Sequence, residues 1–214
     1  MKASGEKILQ ELGERYPVLR PLLPDILQAA EQMCESWKAH GKLLICGNGG
    51  SASDALHMVG ELMKSFMLPR TPDGVLRARL EAAGGADGEY LSTHLQMALP
   101  AISLGNETAL QTAYGNDVAP DLIYAQQVFG LGRPGDVFLG ISTSGNSRNV
   151  VLAAKVARAM GLRTVALTGA GESRLANCSE CLIAVPETET YRVQELHLPV
   201  YHTLCLIAEN EFFG

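Results

Sequence analysis

The strongest constraint on the fold is a pattern of strand, turn and helix that occurs twice with similar turn chemistry. The first copy runs from the apolar segment KLLICG through GNGGS into a helical stretch, and the second runs from DVFLGIS through TSGNS into SRNVVLAAKVARAM. A short apolar run that ends at a turn before a helix is typical of a buried parallel strand. The repetition predicts an α/β fold, a parallel sheet with helices on both faces.

The same alternation continues along the chain and is preceded by two predicted helices in residues 1–40. Further strands are predicted from LPAISLG, GLRTVALTG and CLIAVP, and YRVQELHLPVYHTLCLIAENEFF predicts a long final helix. Pro199 lies inside that helix, so we expect a kink or a local distortion there. With 214 residues the chain has the length of one domain, with the α/β core in residues 41–214.

Residues 70–97 interrupt this rhythm. The segment AAGGADGE is turn-like, its flanks are weakly helical, and the whole stretch is too long for an ordinary connection. We interpret it as an insert that serves as a lid or an interface element.

The charge balance narrows the class of partners. Seventeen basic and 23 acidic residues give a net charge of −6, which disfavours non-specific binding to nucleic acid or to an anionic membrane. The N-terminus carries charges where a secretory signal needs an apolar core, and no apolar run approaches the length of a membrane span. The five cysteines form no disulfide framework, so a cytoplasmic location and a small-molecule or protein partner are predicted.

The two turns carry the residues of a ligand site. Gly47, Gly49 and Ala52 match the relaxed G-x-G-x-x-G/A dinucleotide fingerprint, but the expected acidic residue at the end of a second strand is missing. The second turn brings four hydroxyls close to a helix N-terminus, which favours a phosphate monoester over a simple serine N-cap. These hydroxyls belong to Ser142, Thr143, Ser144 and Ser147.

The two loops, together with LPAISL, YGND, GRPGDVFLGISTSGNSRNVV, VALTG and VQELHLPVYH, resemble the sugar isomerase (SIS) domain. More narrowly they resemble the sedoheptulose 7-phosphate isomerase (phosphoheptose isomerase) group, over nearly the whole chain. The resemblance implies a Rossmann-like three-layer α-β-α sandwich with a five-stranded parallel sheet. It also implies a homotetramer with active sites at subunit interfaces, and a Ser/Thr loop that binds the phosphate of a sugar.

The resemblance further implies an aldose–ketose isomerisation, from sedoheptulose 7-phosphate to glycero-manno-heptose 7-phosphate. This reaction needs one group that moves a proton between neighbouring carbons and another that moves a proton between their oxygens, through an enediol. By the resemblance Glu61 is the carbon base and His202 its acid/base partner. His197 in the same helix is not excluded by spacing, and only the resemblance selects His202. If the sites form between subunits, His202 is expected to reach Glu61 from a neighbouring chain.

A zinc ion is the cofactor that the resemblance implies. His57 and Glu61 are four residues apart on one predicted helix, a spacing that allows two ligands to one metal. Relatives of the resembled group complete the site with glutamine and histidine, which correspond to Gln194 and His202. Glutamine is a poor zinc ligand, so we expect a weaker site than one built from cysteines.

By the same carry-over, the remaining sugar contacts come from residues of the first loop and of the YGND segment. They are Asn48, Gly49, Gly50, Ser51, Asn116 and Asp117, and Gln194 also contributes to substrate binding. Asp117 has an alternative interpretation as a helix N-cap. The chain departs from the usual pattern at Tyr191, where some relatives have an aspartate, in the insert, and in the SAS sequence at residues 51–53.

A different class of function also suits this fold. Some relatives bind sugar phosphates as regulators, or bind the replication initiator protein as adaptors, without catalysis. Those adaptors typically lack the full set of catalytic and metal residues. The joint presence of His57, Glu61, Gln194 and His202 therefore favours an enzyme.

Overall fold

Five short apolar runs form the central sheet of the computed structural model, which describes residues 2–214. All neighbouring strands are parallel, in the order β2-β1-β3-β4-β5. The strands are β1 (Leu43–Cys46), β2 (Ala101–Ser103), β3 (Val137–Ser142), β4 (Arg163–Gly169) and β5 (Cys181–Val185). Because β2 and β3 lie on opposite sides of β1, the strand order reverses between β1 and β3. Ligands of open parallel sheets bind at such a switch point, outside the carboxyl ends of the strands.

Helices cover both faces of the sheet and make it the middle layer of an α-β-α sandwich. Within residues 2–214 they are α1 (Ala3–Arg15), α2 (Leu23–Lys38), α3 (Gly50–Met63), α4 (Gly74–Ala83), α5 (Gly88–His94), α6 (Thr108–Asp117), α7 (Ile123–Leu131), α8 (Arg148–Ala159) and α9 (Thr190–Phe213). Among these helices none is long and apolar enough to cross a membrane.

The alternation of side chains along each strand divides the core between the two outer layers. In β1, Leu43 and Ile45 join a cluster formed with α1, α2, α3 and α9. Leu44 and Cys46 point the other way, into a cluster formed with α7 and α8. Every residue of β1 and β3 is buried, as expected for central strands of a sheet covered on both faces.

The predicted α/β class, the five strands and the two N-terminal helices are confirmed by this architecture. Residue 1, which the domain prediction includes, lies outside the described residues. Helices α6 and α7 were not predicted from the sequence. Helix α6 buries none of its residues, so it lacks the apolar face that makes a helix visible in a sequence.

The insert folds as a helical hairpin in which α4 packs against α5. Its base is closed by backbone pairing, because Met97 donates its N–H to the Arg70 carbonyl at 2.7 Å. Gln96 also accepts a hydrogen bond from the Ser65 N–H at 2.8 Å. The two ends of the hairpin are therefore held together, a few residues after the end of α3.

Helix α9 continues through Pro199 without a break. Proline has no N–H to donate to the carbonyl four residues earlier, so one helical hydrogen bond is missing at this position. Thr203 donates its hydroxyl to the Pro199 carbonyl at 2.8 Å, one turn further on. The expected kink or local distortion at Pro199 stays a prediction.

Candidate active site

The two repeated turns lie next to each other because they follow neighbouring strands, β1 and β3. Between them is an open cavity of about 300 Å³ at the switch point of the sheet. It is lined by Asn48, Gly49, Gly50, Ser51, Ile141, Ser142, Thr143, Ser147, Thr190 and Gln194. We call it the hydroxyl cavity, because five of the lining residues are serine or threonine.

Three helices begin at the hydroxyl cavity. Gly50 is the first residue of α3, Ser147 precedes α8, and Thr190 opens α9. The unpaired N–H groups and the dipole at the start of a helix favour an anion. No lysine or arginine lines the cavity, so these N–H groups and hydroxyls are its anion-binding groups. Thr190 was not predicted as a site residue from the sequence. Its position at the start of the last predicted helix could have indicated it.

The hydroxyls of the second turn are divided between the cavity and the turn itself. Ser142 and Ser147 hydrogen-bond each other at 3.0 Å, and Ser147 makes no side-chain cap on α8. Ser144 instead accepts a hydrogen bond from the Asn146 N–H at 3.2 Å and does not line the cavity. Three of the four predicted hydroxyl residues, Ser142, Thr143 and Ser147, therefore line the hydroxyl cavity.

The segment after β4 supports the second turn from behind. Leu175 donates its N–H to the Gly145 carbonyl at 2.9 Å, and Gly169 donates to the Thr143 carbonyl at 3.0 Å. The Asn146 side chain donates to the Glu172 carbonyl at 2.9 Å. These bonds fix the turn without using its hydroxyl groups.

An amide pair joins the two turns. Asn48 and Asn149 exchange two hydrogen bonds, each 2.9 Å long. Tyr124, from α7, donates its hydroxyl to the Gly47 carbonyl at 2.7 Å. Asn48, predicted to bind sugar, thus also holds the first turn against α8. Asn149 and Tyr124 were not predicted, because each depends on a partner distant in sequence.

A second group of polar side chains lies further along α3 and α9. His57 Nε2 is 3.4 Å from Glu61 Oε1 and 3.5 Å from His202 Nε2. Lys64 pairs with Glu61 Oε2 at 2.9 Å. We call His57, Glu61 and His202 the acid/base cluster. All three belong to one chain, so the meeting of His202 with His57 and Glu61 needs no neighbouring subunit.

The environment of His202 favours the neutral imidazole. Its pKa is lowered by burial and by the neighbouring His57, while Glu61 acts in the opposite direction. A neutral ring has one N–H donor and one acceptor nitrogen, the combination needed to receive one proton and to return another.

A buried ion pair supports the backbone at the end of α3, close to Glu61. Arg70 and Glu209 are both fully buried and meet at 2.9 Å from Nε to Oε1. Arg70 also donates to the carbonyls of Glu61 and Leu62 at the end of α3. Glu209 accepts hydrogen bonds from the N–H groups of Phe66, Met67 and Leu68. The end of the helix that carries Glu61 is therefore tied to α9.

The remaining predicted residues are distributed over the molecule. Gln194 packs against Gly50 in the hydroxyl cavity, two turns of α9 before His202. Asn116 and Asp117 are exposed at the end of α6 and hydrogen-bond each other, so Asp117 is the last residue of a helix and not an N-cap. His197 is fully buried away from the cluster, and neither of its ring nitrogens has a hydrogen-bond partner within residues 2–214.

Two donor separations in the acid/base cluster are close to those between zinc ligands. Ligand atoms about 2.0–2.1 Å from a tetrahedral zinc lie about 3.3 Å from one another. The separations of 3.4 and 3.5 Å around His57 Nε2 are close to this value. In their present rotamers, no three His, Cys, Asp or Glu side chains of residues 2–214 are arranged to hold a metal ion. Histidine nitrogens and a carboxylate oxygen are donors that zinc accepts, and binding an ion would require these side chains to converge on one point.

Known proteins share both the sequence and the fold. A family model described as "SIS domain" matches residues 18–77 and 81–169. The phosphoheptose isomerase of Akkermansia muciniphila is 37% identical over 203 residues, covering 95% of this chain and 94% of the relative. That of Rhodospirillum rubrum is 38% identical over 187 residues, covering 87% and 86%.

Solved structures lead to the same family. A phosphoheptose isomerase structure from Neisseria gonorrhoeae has a TM-score of 0.72 and 34% identity, covering 97% of this chain and 94% of that one. The family model matches more than half of the chain, and the curated relatives match it almost from end to end. The chain belongs to the SIS domain family and, within it, to the phosphoheptose isomerase group.

Proposed function

We propose that the protein is a phosphosugar aldose–ketose isomerase that converts sedoheptulose 7-phosphate into glycero-manno-heptose 7-phosphate. The observation that carries the proposal is the layout of α3 and α9. Both helices begin at the hydroxyl cavity, and both deliver members of the acid/base cluster further along. The curated relatives that match nearly the whole chain are named phosphoheptose isomerases.

The phosphate binds in the hydroxyl cavity, where three helix N-termini and the hydroxyls of Ser142, Thr143 and Ser147 meet it. The six residues from Ser51 to His57 span about 9 Å of helix. This distance separates the phosphate from the reacting carbons and suits a sugar that carries the two groups at opposite ends. Asn116 and Asp117 stay proposed sugar contacts on the strength of the resemblance.

The reaction moves one proton between carbons and one between oxygens. Glu61 removes a proton from C1 of the ketose, and the C2 carbonyl oxygen gains a proton, which gives an enediol. Return of a proton to C2, with loss of the O1 proton and formation of the C1 carbonyl, yields the aldose. His202, as a neutral imidazole, transfers the proton between the two oxygens. The atoms balance without an external oxidant or reductant.

A zinc ion is the proposed cofactor, held by His57, Glu61, Gln194 and His202. A zinc ion held there would supply Lewis-acid polarisation of the substrate oxygens, which would make the carbon-bound proton more acidic. Gln194 lies at the hydroxyl cavity, two turns before His202, and would join the other ligands through its flexible side chain.

A homotetramer with active sites near subunit interfaces, and a cytoplasmic location, complete the proposal. Both come from the resemblance, and the exposed apolar residues on α3 beside the cluster support the first. The regulator or adaptor alternative is not favoured, because the acid/base cluster is complete and the matched relatives are named isomerases.

The test is turnover of sedoheptulose 7-phosphate by the purified protein, followed by NMR with and without added zinc. We expect an aldoheptose 7-phosphate signal with the wild-type protein, and loss of that signal in Glu61→Gln with sugar-phosphate binding retained in a thermal-shift assay. Glu180→Gln is the matched control, because Glu180 is exposed and lies before β5, at the opposite end of the sheet. Binding without turnover in the wild-type protein would favour the regulator, and full turnover in Glu61→Gln would contradict the assignment of the base.

A further inference from the structure

One buried hydroxyl beside the acid/base cluster has no part in the proposed reaction. Tyr201 is 1% exposed, and its hydroxyl oxygen lies 3.0 Å from Nδ1 of His57. The two rings meet edge to face with their centroids 5.6 Å apart. The opposite nitrogen of His57, Nε2, faces Glu61 and His202. Tyr201 therefore contacts the cluster from behind, on the side away from the reacting groups.

Asp54 lies beside the same hydroxyl, one turn before His57 on α3. Its Oδ2 is buried and has no hydrogen-bond partner with regular geometry within residues 2–214. A tyrosine phenol carries its proton at neutral pH and can donate it in a hydrogen bond. The Asp54 carboxylate can therefore accept a hydrogen bond, and the neighbouring Tyr201 hydroxyl has a proton to donate.

The donors and acceptors on Asp54, Tyr201 and His57 limit the directions in which hydrogen bonds can run between them. An ionised carboxylate only accepts hydrogen bonds, whereas a phenol donates one and also accepts. If the Tyr201 proton points to Asp54, the phenol oxygen is left to accept a hydrogen bond from His57. Nδ1 of His57 must then carry the ring proton, and Nε2 keeps its lone pair.

We propose that Tyr201, oriented by Asp54, is a positioning residue that holds His57 in the Nδ1–H tautomer and directs the Nε2 lone pair at Glu61 and His202. This arrangement is what a metal ligand needs, because outer-shell partners fix both the tautomer and the ring orientation of a ligating histidine. The inference rests on the proposed function of the cluster. The tautomer, however, is a property of the protein alone.

The first test is the tautomer of His57 in the metal-free wild-type protein. Selective ¹⁵N-histidine labelling and long-range ¹H–¹⁵N correlation distinguish the two tautomers, and loss of one signal in His57→Gln assigns the residue. We expect the Nδ1–H form at pH 8. Finding the Nε2–H form in the wild-type protein would overturn the proposal. The measurement needs neither zinc nor turnover, so its failure is distinguishable from failure of the proposed isomerase.

The second test compares Tyr201→Phe with Tyr124→Phe, each of which removes one hydroxyl from a buried tyrosine. Tyr124 bonds the first turn and not His57. We expect His57 to shift to the Nε2–H form only in Tyr201→Phe. An unchanged tautomer in Tyr201→Phe would overturn the proposal. If Tyr201→Phe does not fold, Asp54→Asn tests the same set of hydrogen bonds. We expect the same shift of His57 to the Nε2–H form in that variant.

Zinc affinity gives an independent readout by calorimetric titration with zinc alone. Loss of an outer-shell partner typically weakens metal binding about 10- to 100-fold. We expect this loss in Tyr201→Phe and none in Tyr124→Phe. Equal zinc affinity of the wild-type protein and Tyr201→Phe, with the tautomer unchanged, would assign Tyr201 to packing only.

Discussion

At the scale of single residues, the active site depends on groups that never touch the substrate. Arg70 illustrates this, because it is buried, pairs with Glu209 and holds the two carbonyls that end α3. Its guanidinium also lies 4.8 Å from the ring centre of Phe213. The buried, charged guanidinium of Arg70 therefore holds the backbone at Glu61 in place.

Replacing Arg70 tests this support directly. Arg70→Met leaves the buried Glu209 carboxylate without its cation, so the free energy of unfolding should fall by about 3–5 kcal/mol. Urea unfolding at one protein concentration measures the change. Arg77→Met is the matched control, because Arg77 pairs with Glu81 through the same atoms at 3.1 Å on the exposed face of α4. Unchanged stability in both variants would contradict the supporting role of Arg70.

A second residue-scale prediction concerns pH. Burial lowers the pKa of His197 to about 4, whereas an unfolded chain titrates near 6.5. Between these values the unfolded chain binds more protons, so the free energy of unfolding rises with pH across this window. Acidification from pH 7 to 4 should therefore cost about 3 kcal/mol through this residue alone.

The measurement is urea unfolding of wild type and His197→Leu across this pH window. The difference in stability between them should change with pH by about the amount attributed to His197. His94→Leu, at an exposed histidine of α5, is the matched control. Parallel curves for wild type and His197→Leu would contradict the low pKa.

At the scale of elements, the backbone of the second turn is held by the neighbouring segment after β4. Gly145 has a φ of +65°, and a Cβ built on it would lie 2.1 Å from the Ser173 hydroxyl. The turn therefore needs a residue without a side chain, both for its left-handed backbone and for the close approach of the segment after β4.

Gly145→Ala should distort this turn. The left-handed backbone alone costs about 1–2 kcal/mol, and the contact with Ser173 adds to it. The KM for sugar phosphate should consequently rise about tenfold or more. Gly130→Ala is the control, since Gly130 lies in α7 with no atom within 4 Å of an added Cβ. Wild-type KM in both variants would show that the turn tolerates a side chain.

How far the sequence predicts these elements depends on how local their causes are. The strands and α1, α2, α3, α8 and α9 follow from apolar spacing, which the sequence displays directly. Helix α6 has no buried face, and Thr190 enters the cavity only because α9 begins beside β3's turn. The Asn48–Asn149 pair joins residues that only the sheet order brings together. Pairing across the sheet and the rotamers of the acid/base cluster are properties of packing, which one sequence does not encode locally.

At the scale of the whole molecule, an exposed apolar surface borders the acid/base cluster. Leu56 and Met63, on α3, are 45% and 47% exposed, and Met67 and Leu198 next to them are 71% and 40% exposed. Apolar patches of this kind mark interaction sites. Their position supports the proposed homotetramer, with a subunit interface close to each active site.

A charge in this surface should separate the subunits. Leu56→Arg is expected to shift the protein from tetramer to smaller species in size-exclusion chromatography with light scattering, and turnover should fall with the tetramer fraction. Val18→Arg is the control, because Val18 is 47% exposed on the turn between α1 and α2. A wild-type protein that is fully active as a monomer would contradict the proposed interface site.

The shared layout of α3 and α9 has a consequence for substrate choice. In the proposed function the start of each helix binds the phosphate and a position further along presents the reactive groups, and a helix cannot be compressed to bring them together. The two helices therefore keep a fixed distance between the proposed phosphate site and the acid/base cluster. A sugar phosphate two carbons shorter can anchor its phosphate but leaves its carbonyl short of Glu61, so it should occupy the site as an inhibitor rather than a substrate. We therefore expect turnover to depend more on the chain length of the sugar phosphate than on the arrangement of its hydroxyls.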